Sequence, residues 1–331
     1  MMYLLQFILS IHLKRAGKHE TSGFTLIELL VAMVLSVLII TPLFGVVISM
    51  LDTDRREQAK AATEQEIQSA LDYIAQDLQQ AVYIYDADGL TRNHDSNTIT
   101  NSGIKDQIPP VKSAGDCTSS PETSTSVCTP ILVFWKREFI KDSVGISSPT
   151  DTATDDGFAY SLVAYYLITN PNGSNSTWSP TARIGRFQIR GPVNSANANT
   201  IGLASDPGFN SPPLAHDVKG ADLKQKMNQW QTSLTGGNTY NQPVTLVDFI
   251  STSTSAPDST CSSGQRVGED SNNDVQGFYA CVDAAQILAQ VYIRGNALAR
   301  IDNQDTAYTA DNSAYFPHSS IRTQGRGFLL P

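Results

Sequence analysis

From Phe24 to Leu51 the chain carries one ionisable side chain, Glu28, in an otherwise apolar run. At about 1.5 Å rise per residue, a helix over that run exceeds the ~30 Å hydrocarbon core of a bilayer. The run therefore predicts a single membrane-spanning helix over 24–51, and it dictates the layout of everything else. Lys14, Arg15 and Lys18 precede the span. Basic residues flank the cytoplasmic side, so the N-terminus is expected in the cytoplasm and the chain beyond Leu51 outside.

A carboxylate within such a helix costs about 2.5–3.5 kcal/mol near the bilayer centre and calls for a reason. A cut after Gly23 would create an amino group at Phe24, so that each subunit carries a cation and an anion at the end of one apolar helix. Those groups can pair within the helix, or, in a stack of helices, the amine of one subunit can meet the carboxylate of its neighbour.

The stretch Gly23-Phe24-Thr25-Leu26-Ile27-Glu28-Leu29-Leu30-Val31-Ala32 resembles the prepilin signature of type IV pilins and type II secretion pseudopilins. The resemblance implies peptidase cleavage after Gly23, N-methylation of Phe24 and subunit docking through Glu28. The competing reading is an ordinary signal anchor whose Glu28 snorkels to the interface, but a signal peptide is cut after its apolar run, not before it. The leader 1–23 departs from the family pattern, because Met1 to Leu13 is largely apolar and longer than usual. That segment is too short to span a bilayer.

Of 331 residues, 40% are hydrophobic and 17% charged, enough for one large exported domain or two small ones. The formal charge is −9; removing a leader that holds Lys14, Arg15, Lys18 and Glu20 takes away +2 and leaves −11. That balance repels a nucleic acid backbone, so no nucleic acid partner is expected.

Pro42 and Gly45 lie inside the span. Proline removes a backbone hydrogen bond and kinks a helix, and a similar region of pilin-like filaments loses helical order when subunits pack. Pro42 to Gly45 is thus read either as a helix hinge or as an ordinary kink of a membrane helix.

Over 52–85 the helical period persists in Ile67, Ala70, Leu71, Ile74, Leu78, Ala81, Val82 and Tyr85, with Glu64, Glu66, Asp72 and Asp77 assigned to the opposite side. This predicts an amphipathic stalk helix packed on an exported globular head, 86–331. Tyr73-Ile74-Ala75-Gln76-Asp77-Leu78-Gln79-Gln80-Ala81 also resembles the same place in larger minor pilins. Asp86 to Pro130, rich in Asp, Asn, Ser, Thr and Gly, reads as a surface loop. Strands are expected at Ile131–Ile140, Phe158–Thr169, Arg183–Arg190, Val244–Ser251, Val275–Val282 and Gln286–Arg294, from their β-branched and aromatic content. Leu223, Met227, Trp230 and Leu234 mark one short helix. A helix followed by strands predicts an α+β fold, a long N-terminal helix against an antiparallel sheet, which the resemblance implies is pilin-like.

The four cysteines lie outside the span. An exported chain meets an oxidising compartment, so disulfides Cys117–Cys128 and Cys261–Cys281 lead among three connectivities. The five histidines are scattered and no zinc site is expected. Asp270, Asn272 and Asp274 alternate as in a calcium loop, but Val275 and Cys281 stand where that loop needs Gly and Glu, and a solvated turn is the better reading. No metal and no cofactor are expected.

No catalytic motif is present. The G-x-G of Gly325-Arg326-Gly327 lacks the following glycine and helix, and the carboxylates Asp155-Asp156 read as a turn. The chain is read as a non-enzyme: a minor pseudopilin, a structural subunit of a type IV pilus-like, type II secretion-like fibre. The resemblance implies as partners other pilins, the prepilin peptidase, the membrane, and an inner-membrane platform protein with its assembly ATPase. The stretches Asp52-Thr53-Asp54-Arg55-Arg56-Glu57-Gln58-Ala59-Lys60 through Ala81-Val82-Tyr83-Ile84-Tyr85-Asp86, and Val291-Tyr292-Ile293-Arg294-Gly295-Asn296-Ala297-Leu298-Ala299-Arg300, resemble cyanobacterial pseudopilins of hormogonium polysaccharide secretion. That likeness implies a role in polysaccharide secretion and gliding motility. Two rival readings are a fibre-tip adhesin presenting Ser/Thr-rich loops and a DNA-uptake minor pilin, the latter disfavoured by the acidic head.

Overall fold

The computed structural model describes residues 23–109, 126–145, 154–169, 177–193, 203–214, 220–233, 240, 243–255, 260–268 and 276–327. The chain divides into two compact units, Met1–Asp54 and Arg55–Pro331. One helix, α1 (Leu26–Gln79), contributes to both. In the first unit every residue from Gly23 onward is exposed, including the large apolar ones. Among the described residues α1 is the one helix long and apolar enough to cross a membrane.

The second unit is α+β, as expected. Its five-stranded sheet has the order β1 (Ala81–Ile84), β2 (Val127–Gly145), β3 (Thr154–Thr169), β4 (Ala182–Arg190) and β5 (Val244–Ile250). A second, four-stranded sheet follows: β6 (Gln265–Val267), β7 (Phe278–Asp283), β8 (Leu288–Arg294) and β9 (His318–Gln324). All neighbours in both are antiparallel. The sheets meet where Ile250 bridges Gly295, with Ser251 N donating to Arg294 O and Asn296 N to Phe249 O. A Cβ on Gly295 would fall 2.3 Å from Thr63 Cγ2, so the missing side chain is what lets α1 lie on this junction.

The apolar stripe of α1 meets the core through Ile67, Ala70, Leu71, Ile74 and Leu78, all buried. Their three- and four-residue spacing puts them on one helical face. Polar contacts pin the same stretch: Arg300 Nε donates to Thr63 Oγ1 (2.9 Å), Arg300 pairs with Glu66, and Gln68 Nε2 donates to Ser319 Oγ of β9 (2.8 Å).

Several expectations are corrected. The helix stops at Gln79 rather than Tyr85, because Ala81–Ile84 forms β1, paired with β2 through Ala81↔Lys136, Tyr83↔Trp135 and Ile84↔Phe134. Ala81, Val82 and Tyr85 continue the helical spacing, but Val-Tyr-Ile-Tyr is strand-favouring and tertiary pairing decides. The last carbonyl of α1 and the one after it are satisfied by distant backbone: Arg326 N donates to Gln79 O and Arg137 N to Gln80 O. Gly325-Arg326-Gly327 serves this closure, since a Cβ on Gly325 would sit 2.5 Å from Ala81 O.

Asp77 does not lie on the polar side of the helix; it is buried. The segment after Asp86 is only partly surface loop. It forms a short helix, α2 (Ala87–Thr91), and buries Leu90, Ile104 and Ile108. Asp155-Asp156 lies in β3 rather than a turn, with Asp156 Oδ1 accepting from Asp142 N (3.0 Å). The second sheet and strands β1, β6 and β9 were not expected. The short helix, α3, spans Leu223–Met227; Trp230 follows it, and Leu234 lies outside the described residues.

Candidate functional site

The stretch 23–28 starts α1 with a reciprocal cap. Glu28 N donates to Thr25 Oγ1 (3.3 Å), while Thr25 N and Thr25 Oγ1 donate to Glu28 Oε2 (3.2 and 3.0 Å). This is a capping box: a Thr at the N-cap and a Glu three residues on satisfy each other's orphan groups. Leu29 N, donating to Thr25 O at 3.2 Å, closes the first turn. The Glu28 carboxylate is thus held at the helix start with no basic partner among the described residues, and remains exposed. Phe24 is 82% exposed, and nothing lies within 4 Å of where a Gly23 Cβ would be. Among the described residues, Gly23 and Phe24 therefore sit on open backbone just ahead of the first helical turn.

In and just past the apolar stretch, three hydroxyls turn inward onto their own helix. Ser36 Oγ donates to Ala32 O (2.7 Å), Thr41 Oγ1 to Val37 O (2.7 Å) and Thr53 Oγ1 to Ser49 O (2.9 Å). Such i−4 bonds hide hydroxyls from an apolar surrounding. The helix runs unbroken through Pro42 and Gly45.

Cys261 and Cys281 are joined, with S–S 1.97 Å and Cα–Cα 5.5 Å, tying the start of the β6 segment to β7. Cys128, buried in β2, is also disulfide-bonded. Its expected partner Cys117 lies outside the described residues, as do the leader before Gly23 and Asp270, Asn272 and Asp274. Among the described residues no cluster of three or more His, Cys, Asp or Glu is placed to hold a metal ion.

Sequence reasoning missed a charged cluster beneath α1. Asp77 accepts from Lys136 Nζ (3.1 Å), Tyr165 Oη (2.7 Å) and Arg186 Nε (2.6 Å), and Lys136 Nζ also lies 3.2 Å from Glu138 Oε2. Ser161 Oγ and Gln188 Nε2 donate to Glu138 Oε1 (2.6 and 2.9 Å). Burial pushes the Asp77 carboxyl up, but the hydrogen bonds from Arg186 and Tyr165 and the charges of Lys136 and Arg186 outweigh it and hold it below the usual value. Glu138 is lowered in the same way, burial being outweighed by Ser161, Lys136 and Gln188. Burial, and then the Asp77 charge, raise Tyr165, so it stays a donor. The signal for this cluster is faint: Lys136, Ser161 and Arg186 are polar residues inside strands that otherwise read as apolar.

The family described as "Prokaryotic N-terminal methylation motif" matches residues 19–44 of the chain. No curated protein matches it significantly. No solved structure does either.

Proposed function

We propose that this chain is a minor pseudopilin, anchored in the inner membrane by 24–51 with its N-terminus cytoplasmic and its head periplasmic. A prepilin peptidase cuts after Gly23, Phe24 is N-methylated, and the helix carries the subunit into a pilus-like fibre, with Pro42 and Gly45 as the hinge where α1 loosens on packing. The observation that carries this reading is the methylation motif over 19–44 at the start of an apolar helix exposed along its first turns. Apolar side chains on all sides of a helix find burial only in lipid or against other apolar helices. Other pilins, the platform protein and the assembly ATPase complete the list of partners.

The fibre's task in this proposal is polysaccharide secretion supporting gliding motility, which rests on the likeness of 52–86 and 291–300 to the hormogonium pseudopilins. Two experiments test the proposal. Intact-mass measurement on the membrane protein should give a chain that begins at Phe24 with one added methyl group, and Gly23→Val should retain the leader; a wild-type chain still beginning at Met1 overturns the pilin reading. Staining of secreted polymer in a deletion strain should show reduced export and lost gliding. Unchanged export and movement would leave the fibre-tip adhesin as the better assignment.

A further inference from the structure

Tyr83 is 2% exposed, and its hydroxyl has no hydrogen-bond partner among the described residues. Its neighbour two residues on shows what a settled hydroxyl looks like here. Tyr85 Oη accepts from Trp135 Nε1 (3.1 Å) and donates to Met227 O (3.1 Å), with its ring edge-on to that of Tyr83 at 5.0 Å. Leaving a buried hydroxyl unpaired is costly, whereas a phenylalanine would fill the same space without that cost. Tyr83 lines a cleft of about 630 Å³. The cleft lies between the end of β1, the start of α3, the first residues of β6 and the β7–β8 turn.

The cleft's charge is lopsided. Among the described residues, Asp86, Asp222 and Asp283 line it against one cation, Lys224. That cation is committed, with Nζ 2.6 Å from Asp86 Oδ2 and 2.6 Å from Asp88 Oδ2. Asp222 Oδ1 accepts from Gln225 N (2.8 Å) and Asp283 Oδ1 from Gln286 N (3.2 Å), while a carboxylate offers about four lone-pair sites. Both therefore keep acceptor capacity. Burial first, then the charges around it, hold the Tyr83 hydroxyl far above the usual tyrosine range, so it is neutral and offers lone pairs rather than a second anion. Leu223, Ala284 and Ile287 give the cleft an apolar wall.

The geometry points to this cleft as a binding site for an alkylammonium group, the end of a lysine side chain or of a free amine. An ammonium has three donors and no acceptor, which fits a hydroxyl oxygen and carboxylates, and its alkyl stem fits the apolar wall. A bare metal ion does not fit, because the carboxylates are not gathered into a metal cluster. The site is independent of the pseudopilin assignment.

The test uses the full chain in detergent micelles with tyrosine labelled at ring Cζ, the Tyr83 signal being assigned by its loss in Tyr83→Phe. Titration with n-pentylammonium chloride, and separately with Nα-acetyl-lysine amide, should move the Tyr83 signal to saturation, while n-pentanol should not. Tighter binding of the lysine amide identifies a polypeptide side chain as the source; tighter binding of pentylammonium identifies a free amine. Asp222→Asn and Asp283→Asn retain an acceptor for their backbone bonds, Asn being as good an N-cap as Asp at 222 and its amide oxygen able to accept from Gln286 N at 283. Each should weaken binding about tenfold or more, the scale of a lost charge-assisted hydrogen bond. A Tyr83 signal moved by neither amine, or moved equally by pentanol, overturns the assignment and leaves the hydroxyl to water alone.

Discussion

Arg186 Nε, on β4, donates to Asp77 Oδ2, on α1, over 2.6 Å, and both side chains are largely withdrawn from solvent. The pair is the polar bolt between the helix and the five-stranded sheet. Taking the two charges out of water is expensive, and Tyr165 and Lys136 complete the hydrogen bonding that offsets the cost. What the cluster secures is position: an apolar helical stripe can slide on an apolar sheet face, whereas a carboxylate with three fixed donors cannot.

Removing the carboxylate should be costly. Asp77→Asn leaves Arg186 without its counter-charge and Lys136 with Glu138 alone, and a broken buried pair typically costs about 3–5 kcal/mol. Urea unfolding followed through buried Trp135 and Trp230 measures it. The pH dependence has a definite sign. Because folding lowers the Asp77 and Glu138 pKa values, their stabilisation is full above the unfolded-state carboxylate value, about 4, and is lost as pH falls through the lower folded values. Wild type should therefore lose more stability than Asp77→Asn between neutral pH and pH of about 2.

The stripe Ile67, Ala70, Leu71, Ile74 and Leu78 was legible because period and apolarity agree. Asp77 was not, because a charged residue one position from that stripe reads as solvated until its partners are known. Those partners come from β2, β3 and β4, up to 109 residues away along the chain. The same holds for β1: Ala81 and Val82 fit the helix period, and only the pairing of Ala81–Ile84 with Phe134, Trp135 and Lys136 makes them a strand. Strands β6 and β9 carry mixed polar residues, such as Gln265-Arg266 and His318-Ser319-Ser320, that lack the apolar run a local reading requires. At the other extreme, the apolar helix over 26–51 was legible because its length and apolarity are local properties of the sequence.

The Cys261–Cys281 bridge should act through the unfolded chain. Closing a loop with a sequence separation of 20 removes chain entropy worth about 3 kcal/mol. Cys261→Ser should lower the head's stability by that order, as wild type should in the presence of reductant. Reductant should leave Cys261→Ser unchanged in the part of the transition that this bridge controls, which unfolding curves with and without reductant will show.

Gly295 is predicted to be intolerant of the smallest side chain. A Cβ there would meet Thr63 Cγ2 at 2.3 Å and Ile67 Cδ1 at 3.0 Å, where α1 crosses the junction of the two sheets. Gly295→Ala should destabilise by about 1–3 kcal/mol, as overpacking does. Thr63→Ser removes the Cγ2 methyl group and should recover part of that loss in the double variant. Recovery absent from the thermal midpoints would mean that the strain lies elsewhere.

Glu28 allows the sharpest test, because charge and capping separate there. Its carboxylate accepts from Thr25 N and Thr25 Oγ1, and a glutamine at the same position serves a capping box equally. Glu28→Gln should therefore keep the helix start and membrane insertion, the latter eased by the lost charge. Cleavage after Gly23 should proceed, since the cut lies on open backbone ahead of the cap. What the change removes is the negative charge available to the amine of Phe24 in a neighbouring subunit. Helices packed away from water leave such an amine poorly compensated, at a typical cost of about 3–5 kcal/mol for a broken buried pair. The expected outcome is normal mass and membrane level with loss of cross-linking to neighbouring pilins. Thr25→Ala gives the opposite split, since it weakens the cap by about 1 kcal/mol while leaving the charge in place. Wild-type cross-linking in Glu28→Gln would rule out charge pairing between subunits and favour a tip position, where no subunit lies ahead to dock with.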